Sequence, residues 1–115
     1  MLSCIYLVRL CGVEGELLYK YGRTQNYHVR KLGHQQEYKN ITKRIVLVHF
    51  EPIKKCYLRQ AEKDISFLLK KYKYPHKRKE LLIISDNCLD SVKKIFLNVG
   101  NKFRCYDDNI LRKEN

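Results

Sequence analysis

The stretch YKYGRTQNYHVRKLGH constrains the fold more than any other part of the chain. Its first part reads as a strand that ends at Gly22, and Thr24 and Asn26 then supply residue types that cap helices. The helical pattern that follows places Arg30 and His34 one turn apart on a single face. The stretch therefore predicts a strand, a glycine corner and a helix that carries a polar pair.

A second strand is predicted just before this stretch. Residues 2–10 are almost continuously apolar, which is typical of a buried strand. The run CGVEGE follows, and Gly12 and Gly15 favour a turn there before LLYKYG begins. Two strands joined by a short loop with glycines predict an antiparallel hairpin.

The first helix, predicted over residues 25–38, has two unlike faces when its residues are set 100° apart. The face with more apolar character is small and holds Val29, Leu32 and Gln36. The opposite face holds Tyr27, Arg30, His34 and Tyr38. A guanidinium, an imidazole and two phenols are too varied a set for a face that only meets solvent.

The middle of the chain predicts a third strand and a second helix. The run TKRIVLVHF is mostly apolar and β-branched, as strands are. Pro52 suits the first turn of a helix that runs to about residue 72. Its apolar stripe is formed by Tyr57, Leu58, Ala61, Ile65, Leu68, Leu69 and Tyr72. Glu62 lies at the edge of this stripe, where a partly desolvated carboxylate suits chemistry or a metal ion.

The last third predicts a short strand at ELLIIS and a helix over residues 87–99, with Asp86 as its cap and Gly100 as its end. Beyond Tyr106 the sequence is polar and predicts a frayed tail. These elements predict one small α/β domain over residues 1–106, with the hairpin and third strand in a central sheet flanked by helices. Residues 107–115 are assigned to the tail.

The charge of the chain points to an anionic partner. Lys and Arg number 24 against 12 Asp and Glu, a formal net charge of +12. Nucleic acid is the first partner to consider for such a field, with an acidic membrane surface or an acidic protein as alternatives. The run KKYKYPHKRK interleaves basic and aromatic residues as nucleic-acid contact surfaces do. Its predicted contacts are Lys70, Lys71, Lys73, Lys77, Arg78 and Lys79.

The five cysteines are odd in number and widely spread, which is atypical of a secreted disulfide framework. We interpret them as reduced thiols that mostly fill the core. The apolar start of the chain is interrupted by Arg9 and shows no cleavage site, and no run approaches the length of a membrane span. The sequence therefore predicts an intracellular protein of the cytoplasm or nucleus, neither secreted nor in a membrane.

The order of these elements and their residues resembles the GIY-YIG nuclease superfamily. The first family motif is similar to CIY, in which Cys4 replaces a glycine and Tyr6 supplies the tyrosine. The second is similar to KYG, in which Lys20 stands where a tyrosine is usual. The family pattern continues as Gly-x-Thr-x-Asn-x-x-x-Arg-x-x-x-His. The matching residues are Tyr21 and Gly22 of the motif, then Thr24, Asn26, Arg30 and His34.

The lysine in the second motif is most similar to the branch of the family found in phages and large DNA viruses. The resemblance covers roughly residues 3–70 and implies a metal-dependent DNA endonuclease. It implies that Tyr6 is the general base and that Glu62 binds the metal, Mg²⁺ or Mn²⁺. Arg30 suits the phosphate, and Lys20 and Arg30 are the cations that could lower the pKa of Tyr6.

Three further roles complete this expected site. His34 could accept a proton from Tyr6 or position water, Gly22 lets the backbone approach the phosphate, and Thr24 and Asn26 fix the corner and cap the helix. Target choice in this family often comes from another DNA-binding domain, so a protein partner could supply specificity here. Two alternatives stay open: a catalytically silent nucleic-acid-binding module of the same fold, and a basic protein that binds an acidic partner.

Overall fold

The computed structural model describes residues 3–12, 15, 17–74 and 80–114, and of residues 106–114 the backbone alone. Four strands form one antiparallel sheet in the order β3-β1-β2-β4. The strands are β1 (Cys4–Leu10), β2 (Leu18–Thr24), β3 (Ile45–Pro52) and β4 (Leu81–Ile83). The helices are α1 (Tyr27–Glu37), α2 (Leu58–Leu68) and α3 (Asp86–Glu114), with single 3₁₀ turns at Lys55–Tyr57 and Lys70–Tyr72. The chain is thus a small α/β domain, as the sequence predicts.

The predicted hairpin of β1 and β2 is confirmed. The strands pair antiparallel, and Tyr6 lies directly opposite Gly22. Gly12 and Gly15 in the connection have φ values of 78° and 64°, a region that glycine enters without steric cost. Gly22 does not end β2, however, because pairing continues to Thr24.

The alternation of side chains along β1 divides the domain into layers. Ile5 and Leu7 pack into the main core with α2 and α3, whose contributions include Ile65 and Phe96. Cys4, Tyr6 and Val8 point to the opposite face, where Tyr27 of α1 joins them. The sheet therefore lies between α1 on one side and α2 with α3 on the other.

The helix after β3 begins later than its sequence suggests. Pro52 is the last residue of β3, paired with Cys4, and α2 starts only at Leu58. Pro52 lies at the end of an edge strand, where its missing N–H costs no internal ladder bond. The predicted stripe is buried at Leu58, Ala61, Ile65 and Leu69, whereas Leu68 is 46% exposed.

The last helix does not stop at Gly100 but continues to Glu114, and it crosses the expected boundary at residues 106–107 in helical conformation. Gly100 is buried against Glu51 of β3, where an added Cβ would lie 2.8 Å from the Glu51 Oε2. That carboxylate accepts hydrogen bonds from Arg104 at 3.0 Å and from His49 at 2.9 Å, which together form the Glu51 cluster. Close packing, not helix termination, explains this glycine.

Among the residues that the structure describes, none of the helices combines the length and the apolarity that a bilayer span requires.

Candidate active site

A polar cleft opens at the edge of the sheet, beside the residue that precedes β4. The three residues of β4 pair with β2 from Leu18 to Lys20, and one further bond joins the Tyr21 N–H to the Glu80 carbonyl at 3.2 Å. Beyond it, α1 and α2 approach the free edge of β2 from opposite faces. The cleft, of about 210 Å³, is lined by Tyr6, Lys20, Tyr21, Gly22, Arg23, Arg30, Glu62 and Glu80.

The cleft gathers four of the five residues predicted to be catalytic, namely Tyr6, Lys20, Arg30 and Glu62. The fifth, His34, is fully buried behind Tyr6, with its Nε2 3.0 Å from the Tyr6 hydroxyl. The Arg30 Nε–H donates to the same hydroxyl oxygen at 3.4 Å. Because Arg30 can only donate, the phenol proton is directed at His34, and a hydrogen-bonded chain runs from Arg30 through Tyr6 to His34.

Gly22 makes this arrangement sterically feasible. An added Cβ at Gly22 would lie 2.5 Å from the Tyr6 hydroxyl oxygen and 2.9 Å from the Cζ of its ring. Such distances are shorter than any van der Waals contact, and the ring is held by Tyr27 and His34 on other sides. The glycine of the second motif therefore gives the phenol its place across the hairpin.

Burial sets the protonation states of the pair. It raises the pKa of Tyr6 to about 12, although Arg30 acts in the opposite direction. It lowers the pKa of His34 to about 4, and the charges of Arg30 and Lys20 lower it further. At neutral pH the phenol is protonated and the imidazole is neutral. The expected lowering of the Tyr6 pKa by a nearby cation is thus outweighed by burial.

Lys20 is a buried cation on the cleft wall. Its side chain is only 3% exposed, and its ammonium lies 5.7 Å from the centroid of the Tyr38 ring. Burial lowers the pKa of Lys20, and the charge of Glu80 opposes this change. A desolvated ammonium in a polar cleft is suited to an anionic ligand, since a phosphate would restore the interactions lost with water.

Two carboxylates line the cleft. Glu62 is half-buried, as its place at the stripe edge predicts, and its Oε1 lies 3.4 Å from the Arg23 Nε. Glu80 is exposed and enters from the residue before β4. Mg²⁺ in nucleotide-processing sites takes one or two carboxylates and keeps several waters, so this donor set and a cleft of this size fit the ion. Within the described residues, no three His, Cys, Asp or Glu side chains form a closed metal cage.

Arg23 and Glu80 were not among the predicted site residues. Arg23 directly follows Gly22. Strand alternation predicts which face of the sheet Arg23 lies on, but it does not reveal that its ion-pair partner is Glu62 of α2. Glu80 precedes the apolar run of β4, and only the pairing of β4 with β2 brings it beside Tyr21. The signal for Glu80 was therefore the short strand itself, whose partner the sequence does not specify.

The motif residues around the corner have structural roles. The Thr24 Oγ1 accepts a hydrogen bond from the Asn26 N–H at 3.1 Å, and the Asn26 carbonyl accepts the Arg30 N–H at 3.1 Å. Asn26 occupies the cap position, but its side chain makes no capping hydrogen bond. Tyr21, although it lines the cleft, donates from its hydroxyl to the Ser66 Oγ at 3.0 Å on the core side.

The predicted basic contacts separate into three groups. Lys70 and Lys71 are exposed. Lys73 is half-buried and donates to the Ser66 Oγ at 2.9 Å and to the Tyr21 hydroxyl, so its ammonium supports the wall of the cleft. Lys77, Arg78 and Lys79 lie outside the described residues.

The cysteines are free thiols, as expected, but they are not mostly core residues. Cys4 is fully buried, while Cys56 and Cys105 are exposed and the other two are intermediate. Burial raises the pKa of the Cys4 thiol to about 11, so it remains protonated and inert. Cys4 packs beside Tyr6 and Val8, and it is absent from the lining of the cleft.

Comparison of the chain with protein-family models, with curated proteins and with solved structures gives no match.

Proposed function

We propose that this protein is a metal-dependent DNA endonuclease of the GIY-YIG type. The observation that carries the proposal is the cleft at the β2 edge. It holds a phenol hydrogen-bonded to an imidazole, a buried lysine, two partly exposed arginines and two carboxylates. These are the groups that hydrolysis of a phosphodiester needs: a proton path, charge neutralisation and a place for a divalent ion. The net charge of +12 supports a polyanionic substrate.

Arg30 and Lys20 bind the scissile phosphate in this proposal. The guanidinium of Arg30 presents planar donors that match phosphate oxygens, and Lys20 adds a desolvated charge from the neighbouring strand. Arg30 already has a weak ion pair with Glu37 at 3.7 Å, and both side chains are partly exposed. Exchange of that contact for a phosphate costs little, because exposed pairs contribute at most about 1 kcal/mol.

Tyr6 and His34 carry the proton. The attacking water loses a proton to the Tyr6 oxygen while the phenol proton passes to the His34 Nε2, so Tyr6 acts as the base without becoming a free phenolate. The new bond joins the water oxygen to phosphorus, the bond to the leaving sugar oxygen breaks, and that oxygen takes a proton from solvent. Burial holds the pKa of His34 down, and the charges of Arg30 and Lys20 lower it further. A bound phosphate that offsets these two charges removes their part of the shift and makes His34 a better acceptor.

Glu62 and Glu80, which line the same cleft, would hold Mg²⁺ or Mn²⁺. A divalent ion there would supply Lewis acidity at the phosphate oxygens. Arg23 balances the Glu62 carboxylate in the free protein, and this exposed pair is weak enough to open.

The experiment is a cleavage assay on branched, flap, nicked and linear DNA with Mg²⁺ or Mn²⁺. Tyr6→Phe removes the oxygen that links water to His34 and should slow cleavage by about 100- to 1000-fold. Glu62→Ala should abolish metal-dependent cleavage and leave DNA binding intact. Tyr27→Phe is the matched control for Tyr6→Phe, since it removes a phenol hydroxyl outside the cleft. Asp90→Ala is the matched control for Glu62→Ala, since it removes a carboxylate outside the cleft.

The outcomes separate the competing functions. Cleavage that survives both substitutions would contradict the proposed site. Tight DNA binding by the wild type without cleavage of any substrate would identify a silent nucleic-acid-binding module. A requirement for a second protein before one DNA site is chosen would identify the source of specificity.

A further inference from the structure

We infer that a second phosphate-binding site lies beside the candidate active site, in a cleft formed by Arg23, Lys55 and Arg59. This inference rests on the proposed function, and it adds the direction in which the DNA strand leaves the active site. The ligand is a backbone phosphate of the same strand. We call this cleft the basic notch.

The basic notch lies between the end of β2 and the start of α2. It has a volume of about 330 Å³, and its wall combines cations with the polar side chains of Thr24 and Gln25 and with Leu58. Among the described residues, none of those that line this wall carries a carboxylate. A concave, basic and uncharged-polar surface is suited to an anion with several oxygen acceptors.

Within the described part of the chain, carboxylates balance the cations of the basic notch only in part. Arg23 has one carboxylate partner, Glu62 at 3.4 Å. Within the described residues, Lys55 and Arg59 pair with no carboxylate, whereas Lys102 pairs with Asp64 at 2.7 Å. Cations that converge on one concavity attract a polyanion to it, because the fields of the separate charges add there.

Arg23 lies in the walls of both the basic notch and the candidate active site. A strand whose scissile phosphate lies at Arg30 and Lys20 therefore has a neighbouring phosphate within reach of Arg23, and the next contacts are Lys55 and Arg59. The start of α2 adds the positive end of a helix dipole nearby. The strand accordingly runs toward α2 at this end.

The test measures DNA affinity as a function of salt. The variant is Lys55→Ala with Arg59→Ala, and the control is Lys43→Ala with Lys94→Ala, which removes two exposed cations outside both clefts. Binding of a short labelled duplex is followed by fluorescence anisotropy in EDTA, so that cleavage does not interfere. Thermal melting of each variant checks that the fold is intact.

We expect the notch variant to bind about tenfold more weakly. The slope of log affinity against log salt concentration should be reduced by about 0.9, the value for one phosphate that is no longer neutralised. The control should keep the wild-type slope.

A notch variant with the affinity and salt slope of the control would overturn the inference, and wild-type cleavage would then still support the proposed function. If the wild-type protein does not cleave DNA but the notch variant still shows a reduced salt slope of binding, the proposed nuclease activity is wrong and the second phosphate-binding site stands. If polyglutamate binds through Lys55 and Arg59 while DNA binding ignores them, the notch takes an acidic protein and the inference is wrong.

Discussion

Two buried polar clusters on opposite sides of the sheet use similar parts to different ends. On the α3 side, Glu51 receives His49 on one carboxylate oxygen and Arg104 on the other, at 2.9 and 3.0 Å. Arg104 also donates to the Asn101 Oδ1 at 2.7 Å. This Glu51 cluster is a closed network in which both carboxylate oxygens have a donor.

On the α1 side, Tyr6 likewise forms hydrogen bonds with a histidine and an arginine. Here, however, the acceptor at the centre is a neutral phenol, which does not balance the charge of the arginine. The His34 Nδ1 is buried and has no hydrogen-bond partner among the described residues. Burial lowers the pKa of His34, and the positive charges of Arg30 and Lys20 lower it further. This cluster also opens into the cleft of the candidate active site. Each cluster even has its own glycine, since Gly22 makes room for Tyr6 as Gly100 does for Glu51.

The two clusters differ in how their charge is balanced, and this difference distinguishes a structural cluster from a candidate site. A network that satisfies its own charge joins elements, here β3 to α3, and gains nothing from a ligand. A network that leaves cations beside a cleft has a higher free energy until an anion arrives. Both clusters contain a buried polar side chain, a histidine and a glycine that makes room for a side chain, so none of these features distinguishes them.

The largest expected effect tests the scaffold cluster. Glu51→Ala removes the acceptor shared by His49 and Arg104. We expect the free energy of unfolding to fall by about 3 kcal/mol, because two hydrogen bonds to a charged acceptor are lost at about 1.5 kcal/mol each. Cleavage per folded molecule should not change. Urea unfolding measures the first and a cleavage assay at low temperature the second. Asp64→Ala is the matched control, because its pair with Lys102 is more exposed and should contribute less than about 1 kcal/mol. A cleavage defect in Glu51→Ala would break the distinction.

The next effect concerns pH and the open cluster. The unfolded chain binds a proton at His34 near pH 6.5 and the folded protein only near pH 4, so acid favours unfolding within that window. We expect on the order of 3 kcal/mol of stability to be lost from pH 6.5 to 4 through this residue. Urea unfolding across this range should show a weaker pH dependence in His34→Leu. His28→Ala, an exposed histidine on the same helix, should keep the wild-type dependence, and equal slopes in all three proteins would show that His34 is not held neutral.

The smallest expected effect is the sharpest comparison. Gly22→Ala and Gly100→Ala each place a methyl group against a buried side chain, and each should cost about 1–2 kcal/mol of stability. Only Gly22→Ala should also reduce cleavage beyond the loss of folded protein, because it displaces the Tyr6 hydroxyl. Denaturant unfolding and cleavage rates measured on both proteins give the answer, and a cleavage loss of equal size in Gly100→Ala would refute it.

Local patterns in the sequence predicted the parts of the fold that depend on neighbours along the chain. The hairpin followed from two apolar runs and a glycine loop, and the varied face of α1 was correctly expected to meet more than solvent. Periodicity does not show, however, which face of a helix is buried. Val29 and Leu32 are 64% and 67% exposed, while His34 and Tyr38 of the other face are buried.

The misplaced boundaries share a physical reason. Gly100 and Pro52 were read as a helix end and a helix start from their backbone preferences, which amount to about 1 kcal/mol for a glycine inside a helix. Packing against Glu51 outweighs that cost at Gly100. Likewise, Arg23 and Glu80 enter the cleft through contacts between distant segments, which one sequence does not reveal.

The pairing of Tyr6 with Gly22 has a consequence for how the molecule folds. The two residues are close in sequence, so the hairpin belongs to the local contacts that form early. A slip of one residue would turn Tyr6 to the face that Ile5 and Leu7 now occupy, and away from His34. The register of the first hairpin thus determines, before the helices dock, whether the site can form. A chain that passes it already carries Tyr6 and Lys20 on the same face, and docking of α1 then adds Arg30 and His34.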